Sequence, residues 1–202
     1  MKRVVWMGLA LAPLAGVAGA RAQGIDLAGA KPTDGIGAAA PSRIRLTPHE
    51  AGYYYNRGNR FFRRKQFDRA IAAYGRAIRQ DPRDVDAFIA RAAAYYYVED
   101  YASALQDWGA VIRLAPKSAA AYGNRAWTYC RLGQADKGLS DAAQALQLKP
   151  YGDGFAARAC NYGVSGNVPA AIRDYEKALS LSPDHDEASD WRRAIDRLRR
   201  RK

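Results

Sequence analysis

Histidine and cysteine are scarce in this chain: its 202 residues include two of each. His49 and His185 fall at opposite ends of the patterned part of the sequence, too far apart to converge on a substrate. No Cys or His pair has the spacing of zinc ligands. A G-x-S-x-G elbow, an H-E-x-x-H helix and a phosphate-binding loop are also lacking. The reading is therefore a non-enzymatic protein with no catalytic residues, metal or cofactor. Runs of alternating polar and apolar residues, the mark of paired strands, are missing too. Acid is in short supply: 20 Asp and Glu face 32 Lys and Arg, a formal net charge of +12. Such an excess favours anionic partners without choosing among nucleic acid, acidic lipid and acidic protein.

The N-terminus narrows that choice. Met1-Lys2-Arg3 is basic, Val4 to Ala20 is apolar, and Ala18-Gly19-Ala20 and Ala20-Arg21-Ala22 both fit a small-residue cleavage site. Residues 1–22 read as a secretory signal peptide. An uncleaved membrane anchor is the alternative, opposed by Pro13 and the glycines in a run at the short limit for a span. The expected location is the periplasm or the cell exterior, where nucleic acid is not expected as a partner. Residues 23–46 are dense in Gly, Ala and Pro with no sustained period, and read as a flexible tether.

Order is expected from Thr47-Pro48-His49-Glu50, which has the form of a helix-capping box with Pro at the first helical position. Beyond it a period emerges. Pro82, Pro116 and Pro150 are 34 residues apart and Pro183 follows after 33. Ala70, Ala104, Gly138 and Ala171 keep the same intervals, as do Tyr54, Phe88, Tyr122 and Phe155. The missing residue must lie between Pro150 and Phe155, in a turn. Each unit carries two helices, the first pair expected near 52–64 and 68–80. Tyr54, Gly58 and Phe61 share one face of the first, and Ala70, Tyr74 and Ala77 one face of the second. One such pair cannot cover its own apolar faces, so the units stack.

These residues resemble the tetratricopeptide repeat (TPR), a 34-residue helix-turn-helix unit with alternating small and aromatic positions and a terminal proline. The resemblance covers four units, 51–84, 85–118, 119–151 and 152–185, within an ordered region of 47–185. It implies an all-α, right-handed TPR solenoid. Unit three departs at Gly138 and Ala142, where Ala and an aromatic are usual. The family's Gly between the helices is present as Gly133 and Gly166 but replaced by Lys65 and Glu99, so those turns are expected to differ in geometry. Residues 186–202 form a last helix and a basic tail. Ala188, Trp191, Ile195 and Leu198 make its apolar stripe, which suits a cap on the fourth unit better than a helix lying on an anionic membrane. The basic tail leaves contact with a membrane surface open.

The resemblance also implies a binding surface. In this family helix A lines a concave groove, and its second, fifth, ninth, twelfth and thirteenth positions face it. Carried onto this sequence, those positions give Tyr55, Asn59, Phe62, Arg63, Tyr96, Tyr97, Trp127 and Arg131 as the principal groove residues. Trp127 is read as open to the groove, with packing on Cys160 and Tyr96 across the seams as the alternative. The implied function is a protein–protein interaction module that holds a protein or peptide segment, acidic ones included. A basic envelope protein that associates with anionic surfaces through Arg-rich faces is the alternative. The carboxylate clamp of chaperone-binding TPR domains is not expected, because its basic residue is replaced by Tyr55, Ile89, Gly123 and Ala156.

Two further features carry rival readings. Arg57, Arg91, Arg125 and Arg158 recur at the seventh position of each unit. They are read as stems laid along the seams with guanidiniums reaching solvent or a carboxylate, in preference to an anion-binding row. Cys130 and Cys160, both on helix A, are candidates for a disulfide in an exported protein. Their non-equivalent positions, twelfth and ninth, favour two free thiols.

Overall fold

A computed structural model of the chain describes residues 48–200; the expected signal peptide, the tether and the Thr47 cap lie outside the described residues. Among the described residues there are nine α-helices and no strand. In chain order they are α1 (Pro48–Arg63), α2 (Phe67–Gln80), α3 (Val85–Tyr97), α4 (Tyr101–Leu114) and α5 (Ala119–Arg131). There follow α6 (Ala135–Leu148), α7 (Gly152–Val164), α8 (Val168–Leu181) and α9 (Ala188–Arg199). Each of the first eight pairs with its neighbour as a helical hairpin, and each second helix packs against the next hairpin. The four recurrent prolines each stand two residues past a second helix, where their missing N–H interrupts no ladder.

The helix ends follow from local chemistry. Asp84, Asp100, Ser118 and Asn167 cap α3, α4, α5 and α8 by accepting from backbone N–H groups three residues on. The four interhelical turns close identically. Backbone bonds run from Gln66 N to Phe61 O, Asp100 N to Tyr95 O, Gln134 N to Tyr129 O and Asn167 N to Tyr162 O. All four require a left-handed residue: Gly133 and Gly166 at φ 71° and 82°, Lys65 and Glu99 at φ 58° and 62°. The replacements therefore keep the turn's geometry, contrary to expectation, because the closing bonds impose it on a side chain that adopts it reluctantly.

The core is built from alanine and aromatics. Ala70, Ala77, Ala87, Ala94, Ala104, Ala126, Ala142, Ala171 and Ala178 are completely buried, and Tyr74, Trp108 and Trp191 nearly so. Small residues at these positions let helices approach, and the rings fill what remains. Gly58 shows the tightness: a Cβ there would lie 2.9 Å from Cζ of Tyr74. Ala188, Trp191, Ile195 and Leu198 of α9 are all buried, and Trp191, Ile195 and Leu198 join the core cluster that contains Tyr175 and Ala178 of α8. The apolar stripe of α9 is thus consumed as a cap.

The one-residue deletion has a visible effect. The link from α6 to α7 is three residues, 149–151, where those from α2 to α3 and from α4 to α5 are four. The helices it joins to unit three respond: α5 and α7 pack along one another, whereas α1 and α3 meet only slightly. Tyr151 in the link donates its hydroxyl to the Ala119 carbonyl at 3.2 Å.

Candidate protein-binding surface

The expected groove residues divide into a connected aromatic chain and a buried set. Phe62 lies edge-on to Tyr97 at 5.4 Å and to Phe67 at 5.3 Å, while Phe67 and Tyr97 stack at 4.9 Å. Tyr97 meets Tyr96 at 6.5 Å, and Tyr96 meets Tyr101 at 5.3 Å. Arg131 ends the chain: its Nε donates to the Tyr101 hydroxyl at 3.1 Å, and its guanidinium lies 5.7 Å above that ring. One unbroken set of rings thus crosses from unit one to unit two and finishes on an exposed cation of unit three. Phe67 and Tyr101 were not among the expected residues. Their signal is the series Phe67, Tyr101, Ala135 and Val168, which opens each second helix at the repeat interval.

Tyr55 and Asn59 are half-buried and tied to the second helix of their own unit. The Tyr74 hydroxyl donates to Asn59 Oδ1 at 2.7 Å, and the Tyr55 and Tyr74 rings lie 5.9 Å apart. Burial pushes both phenols above their ordinary range. Arg63 is exposed.

Two expectations need correction. Trp127 is 8% exposed and belongs to the buried cluster of units three and four, so its ring is not open to the groove. That cluster also holds Ala142, which stands where the other units have Tyr74, Trp108 and Tyr175; unit three carries its large ring on the first helix instead. Tyr96 is 9% exposed, and burial raises its phenol so that it stays neutral. It is a floor under the aromatic chain rather than a contact surface.

The reading of two free thiols is also overturned. Cys130 and Cys160 form a disulfide, with Cα atoms 6.0 Å apart. The close packing of α5 on α7 sets the twelfth position of one helix against the ninth of the next. The bridge and Trp127 lie in the same seam.

Three of the four recurrent arginines find carboxylates. Arg91, Arg125 and Arg158 each hold an aspartate sixteen residues on, Asp107, Asp141 and Asp174, through two hydrogen bonds of 2.6–3.0 Å. These acids lie mid-helix and buried. The paired carboxylate raises each of the three guanidinium pKa values. Each cation also lies over an aromatic ring of its own helix, Phe88, Tyr122 and Phe155 at 5.7, 5.8 and 5.3 Å. Reading the arginine series together with the aspartate series at a constant offset of sixteen would have found these pairs.

Near the cap, Asp153, His185 and Glu187 bring their ligand-capable atoms within 4.8 Å of one another. His185 Nε2 lies 3.2 Å from Asp153 Oδ1, its Nδ1 accepts from the Glu187 backbone N–H, and its ring stacks on Trp191 at 4.9 Å. These contacts fasten the α8–α9 connection to the start of α7.

Comparison with known proteins agrees with this architecture. Family models described as TPR repeat and tetratricopeptide repeat match residues 58–98 and 89–153. No curated protein matches the chain. Among solved structures, the chain is similar to a MamA protein, with a TM-score of 0.63 at 20% identity over 76% of this chain and 88% of that one. It is similar to a tetratricopeptide repeat protein from Parabacteroides merdae, with a TM-score of 0.67 at 17% identity over 77% and 61%. A third likeness is to the first TPR of Spaghetti (RPAP3) bound to the HSP90 peptide SRMEEVD, with a TM-score of 0.56 at 22% identity over 62% and 98%. At such identities the likeness shows the fold alone, and with the matched repeats it establishes a chain carrying tetratricopeptide repeats in an all-α, TPR-like helical-repeat fold.

Proposed function

We propose that this protein is a non-enzymatic interaction module that holds a peptide or protein segment in the groove along its first helices. The carrying observation is the ring chain from Phe67 and Phe62 through Tyr97, Tyr96 and Tyr101 to Arg131. Rigid aromatics lose little conformational entropy on binding and anchor interfaces, while a terminal guanidinium suits a carboxylate. Arg63 and Arg131 give the surface a positive character that favours an acidic segment. A structurally similar TPR domain bound to an acidic peptide supports the reading by analogy. The groove residues of this proposal are Tyr55, Asn59, Phe62, Arg63, Tyr97 and Arg131, above a floor of Tyr96 and Trp127.

The proposal includes export to the periplasm or cell exterior. The basic and apolar start of the sequence supports it, and so does the disulfide, which persists in oxidising compartments. The rival reading, association with anionic surfaces, has lost the apolar stripe of α9 to packing and rests on exposed arginines alone.

The test starts from a partner isolated from envelope extract on the mature protein. Phe62→Ala and Arg131→Ala should each weaken its binding by about 1–3 kcal/mol, with thermal midpoints recorded on the same proteins. Binding through the aromatic chain persists at moderate salt; loss of all binding there, with both variants behaving as wild type, selects the anionic-surface reading.

A further inference from the structure

Three units carry the arginine–aspartate pair and the first does not. The residue sixteen positions after Arg57 is Ala73, so this unit lacks the acid that its siblings use. Among residues 52–200, whose side chains are described, no carboxylate lies within ion-pair distance of Arg57; its guanidinium rests 5.6 Å above the Phe61 ring. In front of it is a cavity of about 270 Å³ lined by Tyr54, Arg57, Phe61, Arg69, Ala73 and Arg76. Arg69 lies 5.9 Å over Phe61 and Arg76 lies 5.5 Å over Tyr54. Three cations therefore border one cavity, each laid on an aromatic wall that limits its motion, with no acid in the lining to offset their repulsion.

We propose that this cavity binds the carboxylate of an aspartate or glutamate side chain presented by a protein partner. The sibling units provide the template. In each, a carboxylate of the same molecule accepts Nε and a terminal nitrogen of the equivalent arginine in the two-pronged geometry that a planar guanidinium favours. Ala73 frees that position, and unit one has cations at both Arg69 and Arg76, where unit two has none (Ser103 and Ala110) and units three and four have one each (Lys137 and Lys177). The Tyr54 and Phe61 walls favour a partner in which an apolar residue flanks the acid. Tyr54, Arg57 and Phe61 form a stripe on α1 beside the groove positions 55, 59 and 62, so the site does not depend on the groove being occupied.

The probe is a blocked pentapeptide with one central Asp between Tyr and Leu, titrated into the 15N-labelled protein while the Arg57 Nε–Hε resonance is followed. The Asp peptide should shift that resonance and the Asn version should not. Ala73→Asp supplies the acid internally; it should raise the thermal midpoint and weaken the Asp peptide at least tenfold. Arg57→Gln should weaken it similarly, and Phe62→Ala in the groove should not. Equal binding of the Asp and Asn peptides, or wild-type affinity in Ala73→Asp, overturns the proposal. A phosphoserine peptide or inorganic phosphate binding more tightly than the Asp peptide overturns the carboxylate assignment. Loss of binding in Phe62→Ala places the peptide in the groove and removes the site.

Discussion

The side chain of Asn161 occupies the space that a Cβ on Gly138 would need. Such a Cβ would lie 2.6 Å from Asn161 Nδ2, and that nitrogen donates to the Ala126 and Ala157 carbonyls at 3.0 and 2.9 Å. Glycine at the usual alanine position of unit three is therefore the complement of a large buried polar residue in unit four. Between units one and two the equivalent positions hold Ala70 and Ala94, both completely buried. Gly138→Ala should destabilise by about 1–3 kcal/mol through overpacking, and Asn161→Ala by a similar amount through two lost hydrogen bonds and a void. The double variant restores the alanine pair and should approach wild type, a coupling of at least about 1 kcal/mol in chemical denaturation. Strictly additive losses would show that the two residues do not share the space.

Glu99 adopts a left-handed backbone at φ 62° in a turn where units three and four use glycine. Glu99→Gly should stabilise by about 0.5–1 kcal/mol, and Lys65→Gly should change stability in the same direction. Gly133→Ala and Gly166→Ala should destabilise by about 1 kcal/mol each, since neither Cβ meets any atom and only the backbone conformation resists. Thermal midpoints of the four proteins check the signs, and a loss in Glu99→Gly would refute the assignment.

The Cys130–Cys160 bridge closes a sequence separation of 30 residues between two packed helices. Removing it by reduction or Cys130→Ser should destabilise by about 2–4 kcal/mol, mainly by freeing the unfolded chain. The protein isolated from its natural compartment without reductant should show no reactive thiol under denaturing conditions. Two alkylated cysteines in that sample would restore the free-thiol reading and weaken the case for export.

Glu187 is 6% exposed, and burial, with the nearby carboxylates of Asp153 and Asp190, pushes its carboxyl up to about 8. A folded-state value above the unfolded one means that the native protein holds this proton more tightly. Its stabilising effect is complete below about pH 4.5 and is lost as pH rises through 8. Burial raises Asp153 as well, in the same sense. Glu187→Gln keeps the neutral shape at every pH. It should match wild type near pH 4.5 and exceed it by about 2 kcal/mol at pH 9, once solvent screening is allowed for. Parallel stability curves for the two proteins across that range would rule out a buried proton at this position.

The repeat, its register and the cap were legible in the sequence because they are set by one helix at a time. Prolines at 34-residue intervals, small residues at Ala70 and Ala104 and the stripe on α9 all report local periodicity. Trp127 and the disulfide were misread for a common reason: both lie between α5 and α7. How closely those helices approach depends on the link at 149–151, which a period of 33 rather than 34 marks without giving its geometry. The Arg91–Asp107 pair was missed differently. Its two partners belong to separate periodic series, and neither reveals the other until the offset of sixteen is compared across units.

The absence of the internal ion pair from unit one gives the array a weak end. Units two, three and four each have a two-pronged clasp between their helices, and three and four share a covalent bridge and the Asn161 contact. In a stacked repeat, opening spreads from neighbour to neighbour, so it starts where the fewest bonds must break. Amide protons of α1 and α2 should therefore exchange with solvent before those of α5 to α8. A load applied along the chain would peel the first hairpin away while the last two remain a single stiff block.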